Sequence, residues 1–190
     1  MTMTEPIRNK HHLQQLITYY FNQGNMRNYL LIILCLHTAL RISDILRLST
    51  DDVYDFKNHR IRKTITITEK KTQKTKTIAL HNNIITALSI CFPTAKPKTP
   101  LIRNKHTCKP ISRVQAYRII RTAAESLDLP YQVSCHSLRK TFGYHAWRNG
   151  TSPVLIMEIY NHSSLHITKR YLGVSQDDKN AVYVGLSFCG

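Results

Sequence analysis

Residues 160–174 read YNHSSLHITKRYLGV. His162 stands nine residues ahead of Tyr171, and Lys169-Arg170 directly precedes the tyrosine. On the plainest view Tyr171 is a packing residue, one of ten tyrosines in the chain. On the sharper view it is a nucleophile aimed at a phosphate. Three other segments carry groups that suit such chemistry. TALRISDIL sets Arg41 ahead of a short helix, with Asp44 three residues further on. A lysine-rich stretch offers Lys71. HSLRKTF places His136 and Arg139 at i and i+3 of one helical face, so both can point at one site.

The charge balance narrows the partner. Across 190 residues, 27 lysines and arginines face 11 acidic residues, a formal charge of +16. Such an excess points to a polyanion, with nucleic acid first and an anionic membrane surface second. The membrane reading is weak. The longest apolar run, YLLIILCLHTAL from Tyr29 to Leu40, is interrupted by a histidine. It also falls well short of the roughly 20 residues that span a bilayer. The N-terminus has no apolar stretch beside its charges, so no signal peptide is expected. Cys35, Cys91, Cys108, Cys135 and Cys189 form no CxxC pair, which argues against zinc. All five are expected as reduced thiols in a cytosolic protein. No metal or cofactor is expected.

The elements that must position these groups follow from periodicity. Leu13, Leu16, Ile17, Tyr20 and Phe21 recur at helical spacing. A second helix is expected over residues 26–39. LRISDILRLSTDDV gives a short helix with Ile42, Ile45, Leu46 and Leu48 on its apolar side. The period then changes: Ile61, Ile65 and Ile67 alternate with polar residues, which is strand patterning. Residues 75–80 read as the return strand of a hairpin whose tip carries Lys70, Lys71 and Lys74. HNNIITALSICF is a helix ending before Pro93, and a basic, proline-containing connector follows. Ser112 and Gln115 resemble a capping box opening a helix over residues 113–127. Gly150 stops the helix carrying His136 and Arg139. Ser152-Pro153 opens the next helix, and Ser163 or Ser164 caps a last one ending near Tyr171. The sum is one α+β domain, mainly helical with a small antiparallel β-sheet. Residues 57–76 hold eight basic groups and one acidic, and residues 96–121 hold eight basic and none acidic. Stretches this one-sided look like phosphate-contacting surface.

From about Leu30 to Val174 the chain closely resembles the tyrosine recombinases, the family of phage and transposon integrases. Arg41 matches the arginine of the family's LRISE/D segment, and Asp44 an acidic position that braces it. Lys71 matches the lysine of the family's β-hairpin, with Lys70 or Lys74 as alternatives. HxLR matches His136 and Arg139, a histidine nine residues before the tyrosine matches His162, and Tyr171 matches the tyrosine. Each motif alone is weak; six positions in the right order are specific. Asn161 departs from the family, which often has glycine there. The length departs as well: only about 29 residues precede the first strong match. The expectation is a single catalytic domain over residues 1–190 without an N-terminal core-binding domain, the alternative being a fragment.

The resemblance implies a site-specific recombinase that cuts and rejoins DNA through a 3′-phosphotyrosine, for integration or excision of a mobile element or phage. Arg41 and Arg139 would bind the non-bridging oxygens. Lys71 would protonate the leaving 5′ oxygen, and His136 would help take a phenolic proton that unaided leaves only near pH 10. His162 would hydrogen-bond the phosphate. Lys70, Lys74, Lys76, Arg113, Lys140 and Lys169 are the expected DNA contacts. The implied partners are double-stranded DNA at attachment or inverted-repeat sites, a homotetramer on that DNA, and accessory DNA-bending or excision proteins. The implied location is the bacterial cytoplasm, at the nucleoid. Val182, Val184, Leu186 and Phe188 in the tail would pack on a neighbouring protomer, or fold back on their own domain. Competing readings are a non-catalytic DNA-binding protein of the same fold, a phase-switch inversion recombinase, and a nicking-closing enzyme like a type IB topoisomerase.

Overall fold

A computed structural model describes residues 4–91 and 96–187, with only the backbone of Asp177. Phe92, Pro93, Phe188 and Cys189, on which sequence expectations fell, lie outside the described residues. Helix α1 (Lys10–Asn22) starts where Asn9 accepts from the His11 and His12 amides. Helix α2 (Met26–His37) is the scaffold. Its residues from Leu30 to Leu36 are all buried, because it packs against α1, α5 (Asn82–Cys91) and α7 (Cys135–Arg148) on different sides. Among the described residues no helix is long and apolar enough to cross a membrane.

The LRISDILRLSTDDV segment forms two one-turn helices rather than one. These are α3 (Ile42–Ile45) and α4 (Thr50–Val53). Ser49 and Asp52 form a reciprocal capping box that starts the second. Two strand pairs follow instead of a single hairpin. Strands β1 (Tyr54–Asp55) and β2 (Arg60–Ile61) pair antiparallel, so Ile61 belongs to this small ribbon. Strands β3 (Thr64–Thr68) and β4 (Thr75–Ala79) form the hairpin, with Ile65 opposite Ile78 and Ile67 opposite Lys76. Hydroxyl pairs Thr66–Thr77 and Thr68–Thr75, at 3.0 and 2.8 Å, close its outer face. Ile65 and Ile67 point inward, and the alternation continues one step beyond the strand to the fully buried Glu69.

Helix α6 (Arg113–Ser126) begins at Ser112, which accepts from the Gln115 amide. Helix α8 (Pro153–Tyr160) opens at Ser152-Pro153. Helix α9 (Leu165–Leu172) is capped by Ser164, and α10 (Gln176–Gly185) by a Ser175–Asp178 box. The main core surrounds α2. A second, smaller core joins Ala39, Ile156, Tyr160 and Leu172, with Phe142, Trp147 and Tyr171 packed on it. Leu172 therefore anchors the helix that carries Tyr171.

Helix α7 meets Tyr160 at Gly143. A Cβ built there would lie 2.5 Å from the Tyr160 hydroxyl oxygen and 2.9 Å from Cε2. The Tyr160 side chain cannot retreat, because it is fully buried and its hydroxyl donates to the Arg139 carbonyl at 2.5 Å. Gly143→Ala should therefore cost about 1–3 kcal/mol of stability through overpacking. Urea melts of the two proteins check this.

Candidate active site

The site is assembled where α2, the hairpin tip, α7 and α9 converge. The chain leaves α2 through Ala39, whose φ of 54° lies in the left-handed region, a conformation costing a non-glycine residue roughly 1–2 kcal/mol. This turn delivers Arg41, whose Nη1 donates to Glu69 Oε2 at 2.9 Å. Its Nη2 reaches the Tyr160 carbonyl at 3.5 Å. Arg139 donates from Nη2 to the same carbonyl at 3.1 Å, with its guanidinium carbon 4.4 Å from the Tyr160 ring centroid. One carbonyl thus orients both arginines. Arg139 is only 2% exposed, yet its Nε and Nη1 have no hydrogen-bond partner. Burial, and then the charge of Arg41, push its pKa down, but a guanidinium stays protonated. A buried permanent cation with two donor nitrogens unpaired by protein groups suits an anionic ligand.

Asp44 does not brace Arg41. Its Oδ1 accepts from the Lys70 amide at 2.9 Å and lies 3.5 Å from Arg47. It therefore clamps the hairpin tip, and the carboxylate that holds Arg41 is Glu69. Lys71 is exposed at that tip and lines a cleft of about 710 Å³ together with Arg41, Arg113, His136, Arg139 and Tyr171. Lys70 and Lys74 are exposed at the tip but are not among the residues lining this cleft.

Tyr171 sits between two imidazoles. The His136 and His162 rings meet it edge-on, at centroid separations of 4.9 and 4.5 Å. His162 shares a 3.1 Å hydrogen bond with Thr168 on the tyrosine's own helix. It contacts the tyrosine without lining the cleft. Loss of surrounding water, followed by the charges of Lys140, Arg139 and Arg41, lowers His136 to about 4. Desolvation, then Arg139 and Arg41, lowers His162 to about 4 as well. Both rings are therefore neutral at pH 7, able to accept a proton or to donate a hydrogen bond.

Two expected DNA contacts are internal struts. Lys76 is opposite Ile67 on the inward face of the hairpin, 2.9 Å from Glu69 Oε1, and donates to the Ile159 carbonyl at 3.0 Å. Lys140 is buried: its ammonium donates to the Thr4 carbonyl at 2.6 Å and lies 5.4 Å from the Tyr171 ring centroid. Burial is the first cause lowering the pKa of each. Lys70, Lys74, Arg113 and Lys169 are exposed. Glu69 and Tyr160 escaped the sequence reading. For Glu69 a signal existed, since it continues the odd-numbered inward phase of Ile65 and Ile67. Of the tail, Val182, Tyr183, Val184 and Leu186 are 60, 80, 87 and 58% exposed, so these residues do not fold back onto their own domain.

Two guanidinium groups, an ammonium, a neutral imidazole and a phenol around one cleft, with a second imidazole against the phenol, suit transfer of a phosphoryl group to the phenol. Comparison with known proteins points the same way. The phage integrase family profile matches residues 9–177. A probable integrase/recombinase of Bacillus subtilis, YoeC, is 38% identical over 183 residues, covering 96% of this chain and 97% of that protein. The type 1 fimbriae regulatory protein FimB of Escherichia coli K12 is 29% identical, over 76% of this chain and 72% of its own. The crystal structure of XerA recombinase superposes with a TM-score of 0.76 at 19% identity, over 97% of this chain and 66% of that one. That last likeness is one of fold.

Inorganic sulfate should raise the melting temperature of the protein by more than that of Arg139→Met, which removes the unpaired donors and leaves only the general stabilisation by a kosmotropic salt. Thermal melts with and without sulfate, at constant ionic strength, decide it. The histidines set a pH dependence. Their folded pKa values lie below the unfolded value of 6.5, so the unfolded chain takes up protons first as pH falls. Their part in stability is complete above 6.5 and is lost between 6.5 and about 4. His162→Gln should shrink that loss in urea melts across this window.

Proposed function

The chain belongs to the phage integrase family, and on that footing we propose that it cuts and rejoins double-stranded DNA through a 3′-phosphotyrosine, to integrate or excise a mobile element or phage. The Tyr171 oxygen attacks the phosphorus as its proton passes to His136. The bond to the 5′ oxygen breaks, and Lys71 supplies the proton that oxygen needs. Arg41 and Arg139 hold the non-bridging oxygens and stabilise the more negative pentavalent state. His162 supports the phosphate from the other side of the phenol. The observation that carries this reading is the buried Arg139, with two unpaired donors in the cleft that Tyr171 lines.

The exposed basic groups Lys70, Lys74, Arg113 and Lys169 contact the DNA backbone in this reading. Residues Val182, Tyr183, Val184 and Leu186 dock on a neighbouring copy within a tetramer on DNA. Their exposure supports this, as does the short path from Tyr171 to α10, which a 2.8 Å Arg148–Asp178 ion pair ties to α7.

A nicked suicide substrate carrying a candidate attachment site tests the proposal. The wild type should form a covalent protein–DNA band on a denaturing gel. Tyr171→Phe should form none while still shifting the DNA on a native gel; a persisting band would sink the assignment. Lys71→Ala should cleave about 10²–10⁴-fold more slowly. Replacing the leaving 5′ oxygen by sulfur should restore its rate, because a thiolate leaves without a proton. Lys70→Ala and Lys74→Ala should need no such rescue.

A further inference from the structure

Glu69 is a fully buried carboxylate at the centre of the site. Its Oε2 accepts from Arg41 Nη1 at 2.9 Å, Thr72 Oγ1 at 2.8 Å and Asn161 Nδ2 at 3.0 Å. Its Oε1 faces the Lys76 ammonium at 2.9 Å. Its backbone closes the hairpin tip: the Glu69 amide donates to the Lys74 carbonyl, and the Gln73 amide donates back to the Glu69 carbonyl. Arg41 is one of the two phosphate-binding arginines, Thr72 adjoins Lys71, and Asn161 adjoins His162. One carboxylate therefore touches the segments that carry three of the reacting groups.

Asn161 strengthens this reading. It ends α8 with φ 52° and ψ 44°, where glycine is the least strained residue. Asparagine tolerates this region better than other side chains, so a plain helix cap would account for its backbone. A cap has no need of an amide that reaches a carboxylate 92 residues away in sequence. That bond, with the Lys76 donation to the Ile159 carbonyl, ties the turn bearing His162 to the hairpin bearing Lys71.

We propose that Glu69 and Asn161 form the positioning pair of this site, fixing Arg41, Lys71 and His162 relative to one another before the phosphate arrives. The inference rests on the recombinase reading. Neither residue touches the substrate; both act through their neighbours. The carboxylate also offsets the repulsion among Arg41, Lys76 and Arg139, and so weakens the site's pull on an anion while sharpening its geometry. Positioning and affinity are then opposed, which a general loss of structure would not imitate.

The experiment compares wild type, Asn161→Gly, Asn161→Asp, Glu69→Gln and the exchange variant E69Q/N161D, all as the full chain. It measures single-turnover cleavage of the nicked substrate and the Kd for the same DNA. Glu69→Gln should bind DNA as tightly as the wild type or tighter, yet cleave on the order of 10–100-fold more slowly, as misplacement of reacting groups does. Asn161→Gly, whose backbone suits the turn, should bind normally and also cleave more slowly. Asn161→Asp sets a second carboxylate against Glu69, so its rate should recover as pH falls and the pair takes up one proton. The exchange variant again holds one carboxylate and one amide across the contact, and should regain most of the lost rate. Wild-type rates in both Asn161→Gly and Glu69→Gln would overturn the inference. So would an exchange variant no faster than Glu69→Gln. A wild type that binds DNA and forms no adduct would instead overturn the recombinase reading itself, and the inference with it.

Discussion

The site depends on one buried negative charge. Arg41, Lys76 and Arg139 approach one another inside the domain, where charges interact far more strongly than in water. Glu69, with hydrogen bonds to Arg41, Thr72 and Asn161 and an ion pair to Lys76, offsets the repulsion among them. Burial alone would push its carboxyl up. The hydrogen bonds from Lys76, Asn161 and Thr72, with the Lys76 charge, outweigh burial and hold it at about 2. The carboxylate is thus ionised at pH 7. Breaking such a buried cluster from one side leaves an uncompensated charge, which is far costlier than losing a surface pair.

The rest of the fold serves to bring the donors of that cluster together. Helix α2 is apolar on every side, so its end is a fixed point from which the strained Ala39 turn aims Arg41. The hairpin places Glu69 and Lys76 on its inward face through strand alternation. Gly143 lets α7 approach the Tyr160 ring, whose backbone carbonyl then receives both arginines. Leu172 seats α9 in the small core beneath, leaving Tyr171 with its ring between two imidazoles.

What the sequence makes legible is what depends on short-range pattern. The helices carrying His136 and Arg139 and carrying Tyr171, and the lysine-tipped hairpin, follow from periodicity and caps within a dozen residues. What it hides depends on where a side chain's far end goes. Lys76 and Lys140 read as surface cations because most lysines are, yet each finds a buried acceptor on a distant segment. The part expected of Asp44 falls to Glu69 for the same reason. Asp44 lies close to Arg41 in sequence, but Arg47 and the Lys70 amide take its carboxylate, while Glu69 reaches Arg41 from 28 residues away. The split of the α3–α4 segment turned on a Ser49–Asp52 capping box that apolar spacing does not reveal.

The partly buried Arg41 and Lys76 and the buried Arg139 outnumber the Glu69 carboxylate they gather around, and this positive surplus bears on two further features of the site. Arg139 keeps two unpaired donors although a buried unpaired donor costs about 1–3 kcal/mol. His136 and His162 are held neutral partly by the same surplus charge. A carboxylate set directly against Arg139 would satisfy its donors, but would remove the reason for an anion to enter. The instability is thus local and directed, as functional sites commonly are at the expense of stability. A phosphate group arriving between the arginines supplies the missing acceptors and the missing negative charge at once. By the same electrostatics it favours protonation of the two imidazoles beside Tyr171. The group to be attacked thereby makes its neighbours better bases at the moment the phenol must lose its proton.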